Sequence, residues 1–247
     1  MIQDSWLEAH SYLRPLADLA AQVERAAARI EVLDARIPDW ENYRPDFLAG
    51  VPLLKSFVAG VDLEPGERMA AALFEQLGDV ISPEPLPGMM RYVSWTAMAL
   101  YLRPIVTAFD AWRDADKWLR RHCPTCGSLP AMAQLVGADP GRRRLLSCGC
   151  CRTRWQFKRT GCPFCEGDSQ RLSSIAIDGD PRLRIDYCES CKGYLKTYNG
   201  QGDEALWLAD WSSLHLDQIA HDRGLKRLAA SLYEFEPAGS SPITTSN

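Results

Sequence analysis

All nine cysteines of this chain lie between positions 123 and 191, and they are the residues best suited to chemistry. Eight of them form four Cys-x-x-Cys steps, which read CPTC at 123–126, CGCC at 148–151, CPFC at 162–165 and CESC at 188–191. Each step can place two thiolates on one tight turn, and two steps can complete a tetrahedral four-sulfur site for a metal ion. The near-repeated spacing of the four steps favours metal binding over a redox dithiol.

The distances between the steps predict which cysteines share an ion. The first two steps are 21 residues apart and the last two are 22 residues apart, so the same motif occurs twice. This repeat favours two separate ribbons, at 123–151 and 162–191. The predicted metal ligands are therefore Cys123, Cys126, Cys148 and Cys151 in the first ribbon and Cys162, Cys165, Cys188 and Cys191 in the second. A crossed arrangement, in which the two inner steps share one ion and the two outer steps the other, stays open.

Four thiolates select zinc or iron, and the number of ligands does not separate these metals. The sequence thus predicts two iron or zinc ions per chain. Cys150 interrupts the second step, and we interpret it as a bystander because Cys148 and Cys151 keep the usual interval. The alternative is a spare thiol for metal exchange or redox chemistry.

Short strands must position these steps. Residues 129–136 and 144–148 read as one hairpin, and residues 173–178 and 183–188 read as a second hairpin with a turn at 179–181. Gly127 follows the best-formed step and can adopt the positive φ that turns the backbone around a metal. Further strands are expected at 194–199 and 205–210, and the residues from 211 onward predict a closing helix.

The first 120 residues predict a helical bundle without a catalytic constellation. Apolar residues recur at helical spacing from 6 to 36, and further helices are expected at 52–60 and 65–81. Two more helical segments, divided or kinked at Pro104, are expected at 89–102 and 105–119. Three prolines predict a loop between Pro38 and Pro52. The fold class is therefore α+β, with a helical domain at 1–120, metal ribbons at 121–160 and 161–210, a closing helix at 211–236 and a disordered tail at 237–247.

Composition excludes several classes of protein. Hydrophobic residues make up 46% and charged residues 24% of the chain, as in ordinary globular proteins. The N-terminus shows no secretory signal, and the apolar run at 92–102 is too short to span a bilayer. We therefore expect a cytoplasmic protein without membrane insertion. No Gly-rich phosphate loop, HExxH motif or nucleophile elbow is present, so the sequence does not predict an enzyme.

Positive charge is concentrated around the first ribbon. Residues 117–159, which we call the basic segment, contain ten basic side chains and one acidic side chain, although the net charge of the whole chain is −4. This segment is typical of a surface for nucleic acid or for an acidic protein. It can equally neutralise a divalent ion held by four thiolates, which carries a formal charge of about −2.

Three stretches together resemble the formate dehydrogenase accessory protein family, FdhE. They are CPTCGSLP at 123–130, the pair Trp155 and Arg159 ahead of CPFC, and CESCKGYLK at 188–196. The resemblance implies a helical N-terminal domain, two rubredoxin-like modules whose ligands are the eight cysteines above, and iron as the favoured metal. It also implies a cytoplasmic partner, the catalytic subunit of a formate dehydrogenase.

The favoured hypothesis is thus a non-enzymatic accessory protein for formate dehydrogenase maturation. The alternative is a tandem zinc-ribbon adaptor that binds nucleic acid through the basic segment. The acidic remainder of the chain argues against nucleic-acid binding. A small electron carrier of the rubredoxin type would not need 120 helical residues.

Overall fold

Helices precede the cysteine-rich region, as the sequence predicts. They are α1 (Arg14–Ala27), α2 (Trp40–Ala49), α3 (Leu53–Phe57), α4 (Glu64–Leu77) and α5 (Pro87–Trp112). The computed structural model describes residues 14–33, 39–57, 64–78, 87–138, 141–167, 169–200 and 212–229, with residues 8, 11 and 210. The strand expected at 205–210 and the tail expected at 237–247 lie outside these residues, Asp210 excepted.

Two prolines lie inside helices that the structure describes. The expected loop between Pro38 and Pro52 is wrong, because α2 continues through Pro45. Asp39 caps the first turn by accepting a hydrogen bond from the Glu41 amide, and Gly50 ends the helix in the left-handed conformation. Pro104 likewise lies inside a continuous α5. Burial of Tyr43 and Phe47 against Phe109 compensates for the backbone hydrogen bond that Pro45 removes.

Among the described residues the two ribbons form one six-stranded sheet in the order β3-β2-β1-β6-β5-β4. The strands are β1 (Pro130–Val136), β2 (Arg143–Cys148), β3 (Arg154–Phe157), β4 (Leu172–Ala176), β5 (Leu183–Cys188) and β6 (Tyr194–Gly200). Neighbours within each ribbon are antiparallel, whereas β1 and β6 are parallel, with Met132 opposite Lys196. The parallel pair joins the ribbons edge to edge.

The helical part and the first ribbon share one apolar core. Leu53 and Phe109 from the helices lie in the same buried cluster as Leu146 of β2 and Trp155 of β3. Trp155 Nε1 also donates to the Arg120 carbonyl at 2.9 Å. A second, smaller core lies between β5, β6 and the last helix, α6 (Leu214–Asp222).

A buried ionic network fastens α6 to the sheet. Lys196 of β6 is 0% exposed, and its Nζ lies 2.7 Å from Asp217 Oδ2 and 2.9 Å from Asp210 Oδ1. Arg227 pairs with both carboxylates at 2.7 and 2.8 Å, and Tyr194 Oη donates to Asp217. Burial opposes ionisation of Asp210, but Arg227 and Lys196 outweigh it and lower its pKa to about 2.

Candidate metal centres

The structure brings the eight predicted ligands together in two groups of four. We call these groups site 1, formed by Cys123, Cys126, Cys148 and Cys151, and site 2, formed by Cys162, Cys165, Cys188 and Cys191. Within each group the sulfur atoms lie within 4.8 Å of one another. The grouping follows the simple pairing of successive steps and not the crossed arrangement.

The sulfur positions fit a tetrahedral metal better than a disulfide. In site 1, Cys123 Sγ lies 3.5 Å from Cys151 Sγ, and Cys126 Sγ lies 3.4 Å from Cys148 Sγ. The corresponding distances in site 2 are 3.7 and 3.7 Å. Four sulfurs at about 2.3 Å from a central ion lie about 3.8 Å apart, whereas a disulfide requires about 2.05 Å. All nine cysteines are free thiols.

All four turns have the same backbone hydrogen bond. The amide of the first cysteine donates to the carbonyl five residues later, at 2.9–3.0 Å in every turn, as from Cys123 to Ser128 and from Cys162 to Gly167. Amides inside the turns also point at sulfur, with the Phe164 amide 3.4 Å from Cys162 Sγ and the Gly193 amide 3.4 Å from Cys191 Sγ. Such N–H groups stabilise thiolates, so each turn is preorganised for metal binding.

The residue after the second cysteine adopts a positive φ in every turn. Gly127 does so at 81°, as predicted, and the same position is occupied by Arg152 at 63°, Glu166 at 59° and Lys192 at 58°. In the described part of the chain, the non-glycine residues with positive φ are Arg152, Glu166 and Lys192. Sequence reasoning singled out only the glycine, although the position after each CxxC step was a sufficient signal.

Site 1 lies beneath the helical part. Three of its sulfurs are on buried residues, and Cys126 is partly exposed. The amides of Leu53 and Leu54, at the start of α3, donate to the carbonyls of Pro124 and Thr125 at 2.8 and 2.7 Å. The first turn of the ribbon therefore satisfies amides that a helix N-terminus leaves unpaired.

Hydroxyl groups surround site 1 and were not predicted. Thr125 and Thr153 share a buried hydrogen bond of 2.8 Å, and Thr153 Oγ1 lies 3.1 Å from Cys151 Sγ. Ser128 Oγ lies 3.4 Å from Cys126 Sγ and 3.3 Å from Cys150 Sγ. Cys150 is thus next to site 1 but outside its group of four.

Site 2 is more open to solvent. Cys162 and Cys188 are buried, but Cys191 is partly exposed and Cys165 is exposed. Its connection to the helical part includes a hydrogen bond from Arg121 Nη1 to the Phe164 carbonyl. Reagents in solution therefore reach site 2 more directly than site 1.

The packing of four thiols in one place disturbs their ionisation. Burial raises the pKa of the Cys123 thiol well above its usual value, and burial also raises the pKa of Cys162. The surrounding sulfurs, beginning with Cys123, raise the pKa of Cys148, whereas hydrogen bonds from Cys123 and its neighbours lower the pKa of Cys126. Four thiolates at one point need a cation to be ionised together, so protons and metal compete for each site.

Some arginines of the basic segment make contacts within the protein. Arg144 is buried and donates to the Gly161 carbonyl at 3.2 Å, with burial lowering its pKa. Arg142 contacts Asn199 Oδ1 at 3.3 Å, and Arg154 contacts Gln134 Oε1 at 3.5 Å. These side chains hold β2 and β3 in place, which leaves a smaller surface for nucleic acid than the sequence suggests. No helix that the structure describes is both long and apolar enough to cross a bilayer.

Comparison with known proteins finds relatives that are FdhE homologs. The chain is 32% identical over 209 residues to an FdhE homolog from Pseudomonas aeruginosa, covering 76% of this chain and 65% of that protein. An FdhE homolog from Aquifex aeolicus is 31% identical over 133 residues, covering 50% of this chain and 46% of that protein. The chain therefore spans less than two thirds of the first relative and less than half of the second. No family model matches.

The fold is also similar to a solved structure. The crystal structure of the FdhE protein from Pseudomonas aeruginosa superposes with a TM-score of 0.64 at 22% identity, covering 90% of this chain and 88% of the other. The helical part, the mixed sheet and the final helix thus form an architecture already seen in that protein.

Proposed function

We infer that this chain belongs to the FdhE family, and from that premise we propose that it is a cytoplasmic accessory protein that binds the immature catalytic subunit of a formate dehydrogenase and holds two metal ions. The ions are bound by the eight cysteines of site 1 and site 2. The observation that carries the proposal is that both four-sulfur sites lie in one sheet packed against a helical part. The role is one of binding and maturation and not of catalysis.

Iron is the favoured metal. A four-thiolate iron site can change between the ferrous and ferric states, which would let the protein sense redox conditions or provide an electron during maturation. Zinc in the same sites would be structural. Protein purified without oxygen should contain about two iron ions per chain and should be red when its sites are ferric. A colourless protein with two zinc ions would overturn the iron assignment and leave the accessory role intact.

The accessory role is tested by deleting the gene in its native host. We expect formate dehydrogenase activity to be lost while the dehydrogenase polypeptide is still made, and the full chain should restore the activity. An affinity-tagged chain should also recover the catalytic subunit from extracts. Unchanged formate dehydrogenase activity after the deletion would refute the proposal.

The second candidate is the nucleic-acid adaptor, and the exposed members of the basic segment, such as Arg143 and Lys158, are its remaining support. It requires binding that weakens steeply as salt rises, because phosphate contacts release counterions. Recovery of RNA or DNA, and not of a dehydrogenase subunit, would favour this function.

A further inference from the structure

A cavity of about 470 Å³ lies beside site 2 and is not needed to hold a metal there. Strand register places Arg144, Leu135, Leu195 and Asp186 on one face of the sheet, and these residues line its floor. Phe164, in the turn between Cys162 and Cys165, lines the cavity as well. The volume lies within the range of about 300–1,000 Å³ that small-molecule sites occupy.

The lining of the cavity includes both apolar and basic side chains. Leu135, Phe164 and Leu195 provide apolar surface, while the charged residues that line it are three arginines and one aspartate, namely Arg144, Arg159, Arg184 and Asp186. With a divalent ion the four thiolates of site 2 carry a formal charge of about −2, so the positive charge of the lining acts on an anion locally, at the guanidinium groups.

The aspartate does not neutralise the whole cavity. Arg184 Nε lies 2.8 Å from Asp186 Oδ1, and its Nη2 lies 3.2 Å from Oδ2. Thr197 Oγ1 donates to the same Oδ2 at 2.7 Å. Asp186 is therefore hydrogen-bonded to Arg184 and Thr197 and acts on Arg144 only through space, so among the described residues that line the cavity neither Arg144 nor Arg159 has a hydrogen bond to a carboxylate.

Arg144 provides an independent sign of a missing partner. It is 5% exposed, and its guanidinium has one hydrogen bond within the described part of the chain, from Nη1 to the Gly161 carbonyl. Its buried Nε has no acceptor there. A buried charge with unsatisfied donors is costly, and a bidentate oxyanion is the ligand that best matches a guanidinium.

Site 2 does not satisfy these donors. Cys162 and Cys188 form part of the cavity wall, and a four-thiolate site with a divalent ion would attract Arg144 at longer range. However, neither Arg144 nor Arg184 donates a hydrogen bond to a sulfur in the described structure. The buried donors of Arg144 therefore still lack an oxygen acceptor in the described structure.

From this geometry we propose that the cavity binds a small organic anion, with an oxyanion group on Arg144 and an apolar body against Phe164 and Leu195. An inorganic anion alone would leave most of the 470 Å³ and the apolar wall unused. The exposed residues Arg159 and Ser174 lie at the mouth of the cavity, so a ligand enters from solvent.

The proposal is tested with phenyl phosphate, inorganic phosphate and phenol as probes in calorimetry on the full chain loaded with zinc. We expect one phenyl phosphate per chain, inorganic phosphate binding at least about tenfold more weakly, and no binding of phenol. Equal affinity for phenyl phosphate and phosphate, equal affinity for phenyl phosphate and phenol, or no binding of phenyl phosphate would each overturn the proposal.

Matched variants locate the bound probe. Arg144→Met should weaken phenyl phosphate at least about tenfold, whereas Arg143→Met, its exposed neighbour on β2, should change affinity less than about twofold. Metal content and circular dichroism show whether Arg144→Met is folded. If it is not, Ser174→Asp is tested in its place. This variant adds negative charge at the mouth of the cavity and should weaken the binding of phenyl phosphate by a similar factor. Affinities like that of Arg143→Met in both variants would exclude this cavity as the binding site.

Discussion

Replacement of one sulfur in each site tests whether site 1, and not site 2, holds the helical part of the chain in place. Cys126 and Cys165 are a matched pair, because each is the second cysteine of the first turn in its ribbon. Cys126→Ser and Cys165→Ser should each lower the metal content by about one ion per chain. Elemental analysis of the purified variants measures this loss.

The two variants should differ in their effect on α3. The amides of Leu53 and Leu54 donate to carbonyls in the first turn of site 1, and no hydrogen bond in the described structure links them to site 2. Two such hydrogen bonds contribute about 1 kcal/mol each, and a total of about 2 kcal/mol corresponds to about a 30-fold change in an equilibrium. Hydrogen-exchange protection at Leu53 and Leu54 should therefore fall by about 30-fold in Cys126→Ser and change little in Cys165→Ser.

An amide without a hydrogen bond to either site is the internal control. The Arg113 amide, which donates to the Phe109 carbonyl at 2.8 Å, should keep its protection in both variants. Unchanged protection of Leu53 and Leu54 in a Cys126→Ser protein that has lost one ion would refute the link between site 1 and α3. Loss of both ions from either variant would refute the independence of the two sites.

Three further predictions concern the network, the turns and the thiols. Lys196→Met should lower the free energy of unfolding in urea by about 3–5 kcal/mol, because it leaves the fully buried Asp217 with less positive charge; a loss below about 1 kcal/mol would contradict this. Gly127→Ala should destabilise and Glu166→Gly should stabilise the zinc-loaded protein by up to about 1 kcal/mol, since both positions have positive φ, and opposite shifts in melting temperature would contradict this. Metal uptake should release protons and metal affinity should fall as the pH is lowered, because thiols such as Cys123, whose pKa burial raises, must lose a proton to bind; a pH-stat titration without proton release would exclude this.

The local part of each metal site could be predicted from the sequence. A CxxC step fixes two sulfurs within one turn, so its geometry depends little on the rest of the fold. The similar intervals between steps were then enough to favour the observed groups. That the sites bind metal, and which metal, stays a prediction.

The joining of the two ribbons could not be predicted. Hydrophobic alternation marks a strand but does not name its neighbour, and the parallel partners β1 and β6 lie far apart in the chain. The role of Lys196 could not be predicted for the same reason. A lysine in a sequence suggests a surface residue, and only the fold shows that Asp210 and Asp217 lie beside it.

The loop prediction failed for a different reason. The prediction relied on three prolines and ignored Asp39 and Gly50. Asp at an N-cap and Gly at a C-cap together indicate the two ends of a helix. Tertiary packing of Tyr43 and Phe47 then decided in favour of the helix.

The central place of β6 has a consequence for synthesis. This strand is the last along the chain among the strands that the structure describes, yet it lies between β1 and β5. As the polypeptide leaves the ribosome, β1 presents an open edge until Tyr194–Gly200 has emerged. At about 5–20 residues per second, the roughly 60 residues between β1 and the end of β6 take about 3–12 s to translate. During that interval the nascent chain exposes a strand edge able to pair with other polypeptides, so slow translation or truncation within the second ribbon favours aggregation.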